Sequence, residues 1–390
     1  MCKKLIIAAA SARGFAQAAA TCGYSVITLD AFADADTRLV AVQSFKIKMH
    51  ESAQGFIVDE VDFKRVFSSI SLDEVEGFLF GSLFDAAPDL LAWVAAQVRV
   101  LGNPPEVMRF TKSFEFFGLL DELSIRHPEV MLIEKTPQPS FSRTRESILN
   151  VSMGRDDEVN SANENWLSKH LGGSGGTHIQ CASQGGSGDY SQRKIAGVPL
   201  SMLFVADGAT AQLIGFNRQF TAPTTKMPYR FAGAVSGVAL QPNIHAVFEH
   251  AAQQLTSALH LRGINSLDAI LNDETLYILE LNPRLSATFQ LYPNLMHAHL
   301  QGCAGNLSAL SEHKNACAHL VLYAENAVEI PADFVWPMDA MDIPSIEANA
   351  SSVKIAQDAP ICTVRVEAET ADLAHKLVIE NASQLKERFM

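Results

Sequence analysis

Apolar residues in the first hundred positions fall into short runs separated by stretches with helical spacing. Residues 4–10, 24–29 and 77–80 are short, mainly apolar segments of the length expected for buried strands. Residues 14–22 and 90–98 have the small or periodic apolar residues of helices. Strands that alternate with helices pair in parallel, so this segment is predicted to be an α/β domain.

The second half of the chain alternates apolar and polar positions in a pattern typical of antiparallel hairpins. Residues 201–206 and 211–216 flank the turn Asp207-Gly208, and a helix with 3.6-residue periodicity follows over 244–259. Residues 267–270 and 277–282 are predicted to pair around a turn at 271–275. Beyond residue 314, short strand patterns alternate before a last helix.

Polar side chains interrupt the second strand of that hairpin at every other position. Glu280 and Asn282 are predicted to point to one side of the strand, with Leu279 and Leu281 packing beneath them. Pro283 ends the strand, which should release Arg284 into a cleft.

Asp268, in the first strand of the hairpin, should lie opposite Glu280. Two carboxylates and an amide oxygen suit Mg²⁺, and the nearby Arg284 suits phosphate. An exposed acidic hairpin is the alternative for any one of these residues, but it does not explain the combination.

A lysine followed by glycines forms a second candidate site. Lys169 ends a predicted strand, and the loop after it contains Gly172, Gly173, Ser174, Gly175 and Gly176. Glycine lets backbone N–H groups wrap around an anion, and a lysine at the base of the loop adds a charge for phosphate. The loop lacks the Gly-Lys-Ser/Thr of a Walker A motif, and a flexible linker is the alternative.

The pattern Asp268…Glu280-x-Asn282-Pro283-Arg284 resembles the metal-binding strands of the ATP-grasp superfamily, which includes biotin carboxylase and carbamoyl phosphate synthetase. The upstream segments follow the order of that family. The resemblance implies a Rossmann-like domain, a two-lobed ATP-grasp domain and a β-rich C-terminal segment. The predicted boundaries are 1–102 for the Rossmann-like domain, 103–200 for the small lobe with its glycine-rich lid, 201–312 for the large lobe, and 313–390 for the C-terminal segment.

The resemblance also implies binding roles. Lys169 and Lys112 would contact ATP phosphates, with Arg109 as the alternative to Lys112. Arg284 would meet the transferring phosphoryl group or the acceptor carboxylate, and it is a catalytic candidate together with Lys169, which would hold the α/β-phosphates. Asp268, Glu280 and Asn282 would hold two Mg²⁺ ions, or Mn²⁺. The stretch Gln192, Arg193, Lys194 and Ile195 resembles the hinge that meets adenine, although many relatives have Glu where Arg193 stands. His170 likewise stands where many relatives have Pro.

Arg13 follows the first predicted strand and is either a contact for the non-nucleotide substrate or a solvated turn residue, the reading we favour. Arg143, Arg145 and Arg155 lie in a long loop without strong periodicity, for which a solvated loop is the expectation.

Composition narrows the class of partner. The chain has 390 residues and a net charge of -13, which argues against nucleic acid or an anionic membrane as the main partner. Its six cysteines form no Cys-x-x-Cys pair, so reduced thiols and a cytoplasmic location are expected. The apolar N-terminus imitates a signal peptide, but it continues into a β-α-β pattern, and no apolar run is long enough to span a membrane.

The resemblance implies an ATP-dependent carboxylate–amine ligase that forms an acylphosphate. It extends to small ATP-grasp proteins of archaeal-type one-carbon cofactor synthesis, which implies addition of glutamate or an amine to a methanofuran- or tetrahydromethanopterin-type cofactor. An ATP-grasp kinase and a non-catalytic ATP sensor are the alternatives. The carboxylate, the amine and the oligomeric state stay open, although homodimers are common in the family.

Overall fold

A computed structural model gives the fold of this protein. It describes residues 3–133, 165–182, 188–311 and 313–389. The predicted loop with Arg143, Arg145 and Arg155 lies outside the described residues.

The apolar runs at the N-terminus form a parallel sheet. The elements are β1 (Lys4–Ala9), α1 (Arg13–Thr21), β2 (Ser25–Asp30), α2 (Ala35–Val40), β3 (Gln43–Lys46), β4 (Met49–Ser52), β5 (Gly55–Val58), α3 (Glu60–Phe67), β6 (Val75–Phe80) and α4 (Pro88–Ala95). Among the described residues, four strands pair in the order β3-β2-β1-β6, and β4 pairs with β5 as a separate hairpin. The α/β class is confirmed.

A second, antiparallel sheet follows the turn at Gly102–Pro104. Its segment contains α5 (Pro105–Thr111), α6 (Glu115–Glu122), β7 (Val130–Leu132), β8 (Trp166–Lys169), β9 (Gln180–Cys181) and β10 (Tyr190–Arg193). The strand order is β7-β10-β8-β9. Phe116, Phe117 and Tyr190 are buried in one core with residues of the following sheet, so the two sheets are packed together.

The rest of the chain forms a long antiparallel sheet and the helices that cover it. Its elements are β11 (Val198–Asp207), β12 (Ala211–Thr221), β13 (Phe231–Val235), α7 (Pro242–Leu259), β14 (Arg262–Asn272), β15 (Thr275–Asn282), α8 (Leu295–Cys303), β16 (Ala316–Tyr323), β17 (Val328–Pro331), β18 (Ala340–Met341), β19 (Ser352–Ile355), β20 (Pro360–Ala368) and α9 (Ala371–Glu387). Within the described ranges, eight strands pair in the order β15-β14-β11-β12-β13-β16-β20-β18, so C-terminal strands extend the sheet that carries the predicted metal hairpin.

Apolar packing attaches the N-terminal domain to this sheet. Phe15 of α1 and Leu5 of β1 share a buried cluster with Leu203 of β11 and Phe289. The Phe15 and Phe289 rings meet edge to face, with centroids 5.3 Å apart. The carboxyl ends of the parallel strands are therefore held beside the strands that carry the predicted site. None of the described helices is long and apolar enough to span a membrane.

Asn103 joins the turn between the first two segments to the large sheet. Its side chain is fully buried. The amide nitrogen donates to Asn265 Oδ1 at 2.7 Å and to the Pro283 carbonyl at 3.0 Å, and Oδ1 accepts the Arg262 backbone N–H at 2.8 Å. A single amide therefore fixes the turn against both strands of the metal hairpin.

We expect Asn103→Ala to lower the free energy of unfolding by about 3 kcal/mol, because it leaves buried backbone groups without hydrogen-bond partners. Urea unfolding followed by circular dichroism measures the loss. Asn243→Ala, on an exposed position of α7, is the matched control and should change the value by no more than about 0.5 kcal/mol. Equal losses in the two variants would contradict the role of Asn103.

Candidate active site

The hairpin of β14 and β15 brings two carboxylates face to face. Asp268 pairs with Glu280 across the ladder, and Ser266 pairs with Asn282. The register shifts between Asp268 and Ala269, which pairs with Ile278, so Leu279 is an extra residue in β15. Such a bulge re-aims the side chains that follow it.

The bulge explains how Glu280 reaches the cleft. Ile278 and Leu281 are both buried in the core, which a regular strand could not achieve while Glu280 and Asn282 face the other way. The expectation that Leu281 packs beneath the acids is confirmed. The same expectation for Leu279 is wrong, because the bulge places it in the wall of the cleft.

Asn282 connects the two acids to two cations. Its amide nitrogen donates to Asp268 Oδ2 at 3.0 Å and to Glu280 Oε1 at 3.1 Å. Its oxygen accepts from Lys112 Nζ at 2.8 Å and from Arg284 Nη2 at 3.0 Å. Five of the six side chains predicted for metal and phosphate thus form one hydrogen-bonded group.

Lys112, and not Arg109, lies at this group. Lys112 follows α5, and its side chain is 6% exposed, with Nζ 3.5 Å from Glu280 Oε2. Arg109 lies on the surface and pairs with Asp89. The structure therefore favours Lys112 as the basic residue of the site, while its contact with phosphate stays a prediction.

Arg284 lines the cleft, as expected, but it is buried and paired with Asp85. Its Nε donates to Asp85 Oδ1 at 2.9 Å, and Nη2 donates to Asp85 Oδ2 at 2.5 Å. Asp85 is itself buried and follows the turn after β6. The sequence analysis missed Asp85, although its place just beyond the carboxyl end of a parallel strand could have marked it.

Lys169 and the glycine loop form the opposite wall of the cleft. The cleft has a volume of about 300 Å³ and is lined by Lys169, Gly175, Gly176, Asp268 and Glu280, among others. Burial lowers the pKa of Lys169 to about 8, against the opposing pull of the two carboxylates. A lysine there is a point charge aimed at the acids and at any bound anion.

The glycines of the loop allow close contacts on two sides. Gly172 and Gly176 have φ of +74° and +70°. A Cβ at Gly172 would lie 2.9 Å from the Asp85 carbonyl oxygen, and one at Gly176 would lie 2.0 Å from the Tyr229 carbonyl oxygen. The Phe231 N–H donates to the Gly175 carbonyl at 2.9 Å. The loop therefore packs against Asp85 on one side and Tyr229 on the other, with Gly173 and Ser174 between these contacts, and Gly175 and Gly176 line the cleft.

His178 is a cleft residue that the sequence analysis did not single out. Its ring packs against Gly173, where a Cβ would lie 2.1 Å from Cγ. The side chain is 8% exposed, and burial lowers its pKa to about 4, so the imidazole is neutral. Its only mark in the sequence is its place directly after the glycines.

The predicted adenine hinge divides into inward and outward side chains. Gln192 is 1% exposed and shares a strand face with Tyr190, which lines the cleft. Among the described residues its amide nitrogen has no hydrogen-bond partner. Arg193 points outward, and its backbone N–H donates to the Glu129 carbonyl, as that of Lys194 does to Asn165. Ile195 follows in the connection to β11.

The two facing acids perturb each other. Burial and the neighbouring Glu280 raise the pKa of Asp268. Burial also opposes ionisation of Glu280, but the Lys112 ammonium and hydrogen bonds from Asp268 and Asn282 outweigh it, so the pKa of Glu280 is lowered. In the absence of a cation, the proton of the pair therefore resides on Asp268.

The oxygens of this group fit a bound Mg²⁺. In the part of the chain that the structure describes, no group of three or more His, Cys, Asp or Glu side chains is arranged for a metal. The candidate set is instead the two carboxylates, which are hard ligands that suit Mg²⁺. The Asn282 amide turns its nitrogen to them and its oxygen to Lys112 and Arg284, so a role as metal ligand requires that amide to be flipped. The Lys112 ammonium between Glu280 and Asn282 shows that these oxygens already accommodate a positive charge.

The favoured expectation was that Arg13 is a solvated turn residue, and this expectation is wrong. It is 2% exposed, its Nε donates to Asp342 Oδ1 at 2.8 Å, and Nη1 donates to Gln17. The residue thus joins the carboxyl end of β1 to the C-terminal strands.

Comparisons with known proteins identify a family domain in part of the chain. The family profile of the ATP-grasp domain matches residues 135–288. A search of curated proteins found no match.

Solved structures extend the likeness to the whole chain. Phosphoribosylamine–glycine ligase from Thermotoga maritima is similar over 97% of this chain and 96% of its own, at 16% identity and a TM-score of 0.65. L-amino acid ligase from Bacillus licheniformis is similar over 97% and 96%, at 10% identity and a TM-score of 0.62. The biotin carboxylase–ATP complex from Campylobacter jejuni is similar over 97% and 90%, at 12% identity and a TM-score of 0.67.

Residues 135–288 thus match an ATP-grasp domain, and the chain as a whole shares the fold of these solved structures.

Proposed function

We propose that the protein is an ATP-dependent carboxylate–amine ligase that works with Mg²⁺. The observation that carries the proposal is the pairing of Asp268 with Glu280 across one ladder, with Asn282 between them, in a cleft that Gly175 and Gly176 of the glycine loop also line. A surface acidic hairpin would have neither Lys112 nor Lys169 buried beside it. The family relation supports the proposal, since neighbours of the fold include ligases by name.

The side chains have distinct roles in this proposal. Lys169 and Lys112 hold the phosphates of ATP by charge, and Gly172 to Gly176 supply backbone N–H groups above them. Asp268, Glu280 and Asn282 would hold one or two Mg²⁺ ions, which neutralise charge on the triphosphate. Gln192 meets the adenine through its amide, and the backbone near Ile195 completes that contact.

The reaction proceeds in two transfers. A carboxylate oxygen attacks the γ-phosphorus, and ADP leaves with the electron pair of the broken P–O bond. The amine nitrogen then attacks the acyl carbon, phosphate leaves with the electrons of the C–O bond, and the original ammonium loses two protons to give the amide. Arg284 lies where it can orient the acceptor carboxylate, because Asp85 holds its guanidinium in place. The covering loop keeps water from the acylphosphate.

A narrower form of the proposal concerns the substrates. The resemblance to ATP-grasp proteins of one-carbon cofactor synthesis supports glutamate or a primary amine as one partner of the reaction, with a methanofuran- or tetrahydromethanopterin-type compound as the product. A cytoplasmic homodimer is the form in which we propose that it acts.

Product analysis tests the reaction class. The protein is incubated with Mg·ATP and pooled carboxylates and amines that include glutamate, tyramine and pterin or furan precursors. ADP and free phosphate that form together, and only when acid and amine are both present, would establish the ligase. ADP without phosphate would identify a kinase, and ATP binding without turnover of any pool would identify a sensor; both results contradict the proposal.

Glu280→Gln should lower the rate of ADP formation by about 100-fold or more, because it removes a charge that faces Asp268 at the proposed cation site. Steady-state ADP release at saturating ATP measures the loss, and circular dichroism checks the fold. Glu274→Gln is the matched control, since Glu274 is an exposed residue in the turn of the same hairpin. Full activity of Glu280→Gln would disprove the assignment.

Gln192→Leu should weaken ATP binding by about tenfold with little change in the turnover number, since it removes one neutral hydrogen bond to adenine. Fluorescence titration with a labelled ATP analogue measures the dissociation constant. Arg193→Ala, the next residue but with an exposed side chain, should stay within about twofold of the unaltered protein. A larger effect in Arg193→Ala than in Gln192→Leu would reverse the assignment of the hinge.

A further inference from the structure

The imidazole of His178 lines the nucleotide cleft, and no step of the reaction proposed above uses it. It shares the cleft wall with Lys169 and Glu280, and its side chain is more than nine-tenths buried. Within the described ranges, Nδ1 of the ring is buried and has no hydrogen-bond partner. Buried polar groups are normally paired, so an imidazole in this state indicates that a bound molecule supplies its partner.

Contact with Gly173 decides which edge of the ring faces the cleft. A Cβ at Gly173 would lie 2.1 Å from Cγ, 2.4 Å from Nδ1 and 2.5 Å from Cδ2 of His178. These are the three ring atoms nearest to the loop backbone, so Cε1 and Nε2 lie farther from it. Since Nδ1 is enclosed against the loop, Nε2 is the nitrogen that the ring presents to a ligand.

The surroundings keep the imidazole neutral, with its proton on Nε2. Burial and, after it, the Lys169 ammonium lower the pKa of His178 to about 4. A neutral imidazole carries one N–H, and a buried N–H without a partner is tolerated less well than a buried acceptor without one. The enclosed Nδ1 is therefore assigned as the nitrogen without hydrogen, and Nε2–H is a donor directed at the cleft.

His178 stands at the phosphate end of the cleft. The charged groups that act on its ring include Lys169, Glu280 and Lys112. All three belong to the set proposed above for phosphate and Mg²⁺. A donor that is placed together with two ammonium groups favours an anionic oxygen as its acceptor.

A series of contacts relates His178 to the Arg284 end of the cleft. Its ring packs on Gly173, and the neighbouring Gly172 packs on the backbone carbonyl of Asp85. The carboxylate of Asp85 holds the Arg284 guanidinium in two hydrogen bonds. The imidazole is therefore attached to the same structural unit that fixes Arg284, the residue proposed to orient the acceptor carboxylate.

The cleft opens at Arg284 into a second cavity, with a volume of about 410 Å³. Arg284, Ser286 and Phe231 line both spaces, so the two are continuous at the end of β15. An acceptor in the second cavity would reach the last phosphoryl group of a nucleotide at this end of the cleft. The phosphoryl group nearest to His178 is thus the one that is transferred.

We propose that His178 is a catalytic residue whose Nε2–H donates a hydrogen bond to a non-bridging oxygen of the γ-phosphoryl group of ATP. The inference rests on the proposed ligase function and adds a side-chain donor to the backbone N–H groups of the glycine loop. The carboxylate oxygen attacks the γ-phosphorus, ADP leaves with the electron pair of the broken P–O bond, and the imidazole keeps its proton throughout. Because the ring is neutral, it stabilises charge on the phosphoryl oxygens without repelling Lys112 and Lys169.

Nucleotide binding tests the proposal without requiring turnover. Calorimetric titration of the full chain compares Mg²⁺ with adenylyl imidodiphosphate, which has a γ-phosphoryl group, and Mg²⁺ with ADP, which has none. His178→Leu fills a similar volume without a donor, so it should weaken binding of the triphosphate analogue by about tenfold and change ADP binding by no more than about twofold. His178→Gln should keep the analogue within about threefold of the unaltered protein, because its amide N–H can replace Nε2–H.

His170→Leu is the matched control, since it removes an imidazole that directly precedes the glycine loop, pairs with Asp189 and lies outside the described lining of the cleft. It should change the affinities for the two nucleotides by equal factors. Three results would overturn the proposal: a loss of ADP binding in His178→Leu as large as the loss of analogue binding, unchanged binding of both nucleotides, or no recovery in His178→Gln.

The outcome is separable from that of the proposed function. Loss of the preference for the triphosphate in His178→Leu, without ADP formation in any pool of acids and amines, would contradict the ligase and retain the contact. ADP and phosphate formation by a protein whose nucleotide preference does not depend on His178 would retain the ligase and overturn the contact.

Discussion

The buried ion pair between Arg284 and Asp85 is the interaction on which the candidate site depends. An unpaired guanidinium at 7% exposure would be costly, and the planar fork of arginine matches a carboxylate in two hydrogen bonds. The same guanidinium donates to Asn282 Oδ1, which turns the amide nitrogen toward Asp268 and Glu280. Because Asp85 follows β6 and Arg284 follows β15, the pair forms only when the N-terminal domain is docked on the large sheet.

The candidate site also depends on the small lobe, because its lysines balance the charge of Asp268 and Glu280. Two acids that face each other across a ladder repel, and burial strengthens the repulsion. Lys112, which follows α5, and Lys169, which ends β8, belong to the small lobe and lie near the acids. The cleft is therefore assembled from three parts of the chain, each of which supplies charge that the others need.

Much of this arrangement can be predicted from local pattern. The alternation around Glu280 and Asn282 and the turn at Asp273-Glu274 predict a hairpin, and pairing Asp268 with Glu280 follows from that hairpin. The prediction of a phosphate site at Lys169 likewise rests on a local pattern, a lysine followed by a glycine-rich loop. No local sequence pattern predicts the bulge at Leu279. The bulge is needed because Ile278 and Leu281 are both buried in the core while Glu280 faces the cleft.

Long-range partners are the part that the pattern could not predict. Arg13 looks like an exposed turn residue until Asp342, more than three hundred positions away, supplies its partner. Arg284 looks free until Asp85 is brought to it by the docking of two domains. His319 and Asp34 look ordinary in strand and loop, and only the fold shows that each lacks the partner that burial demands.

Phe231 links the cleft to the second cavity through its backbone. Its N–H donates to the Gly175 carbonyl in the covering loop, and its carbonyl accepts from the Tyr323 hydroxyl in the cavity wall. Arg230, next to it, stacks over the Tyr323 ring at 3.8 Å, which holds that tyrosine in place. A movement of the glycine loop would have to break or carry with it a residue that also lines the second cavity. The two spaces are therefore joined by shared walls and by two hydrogen bonds that meet at Phe231.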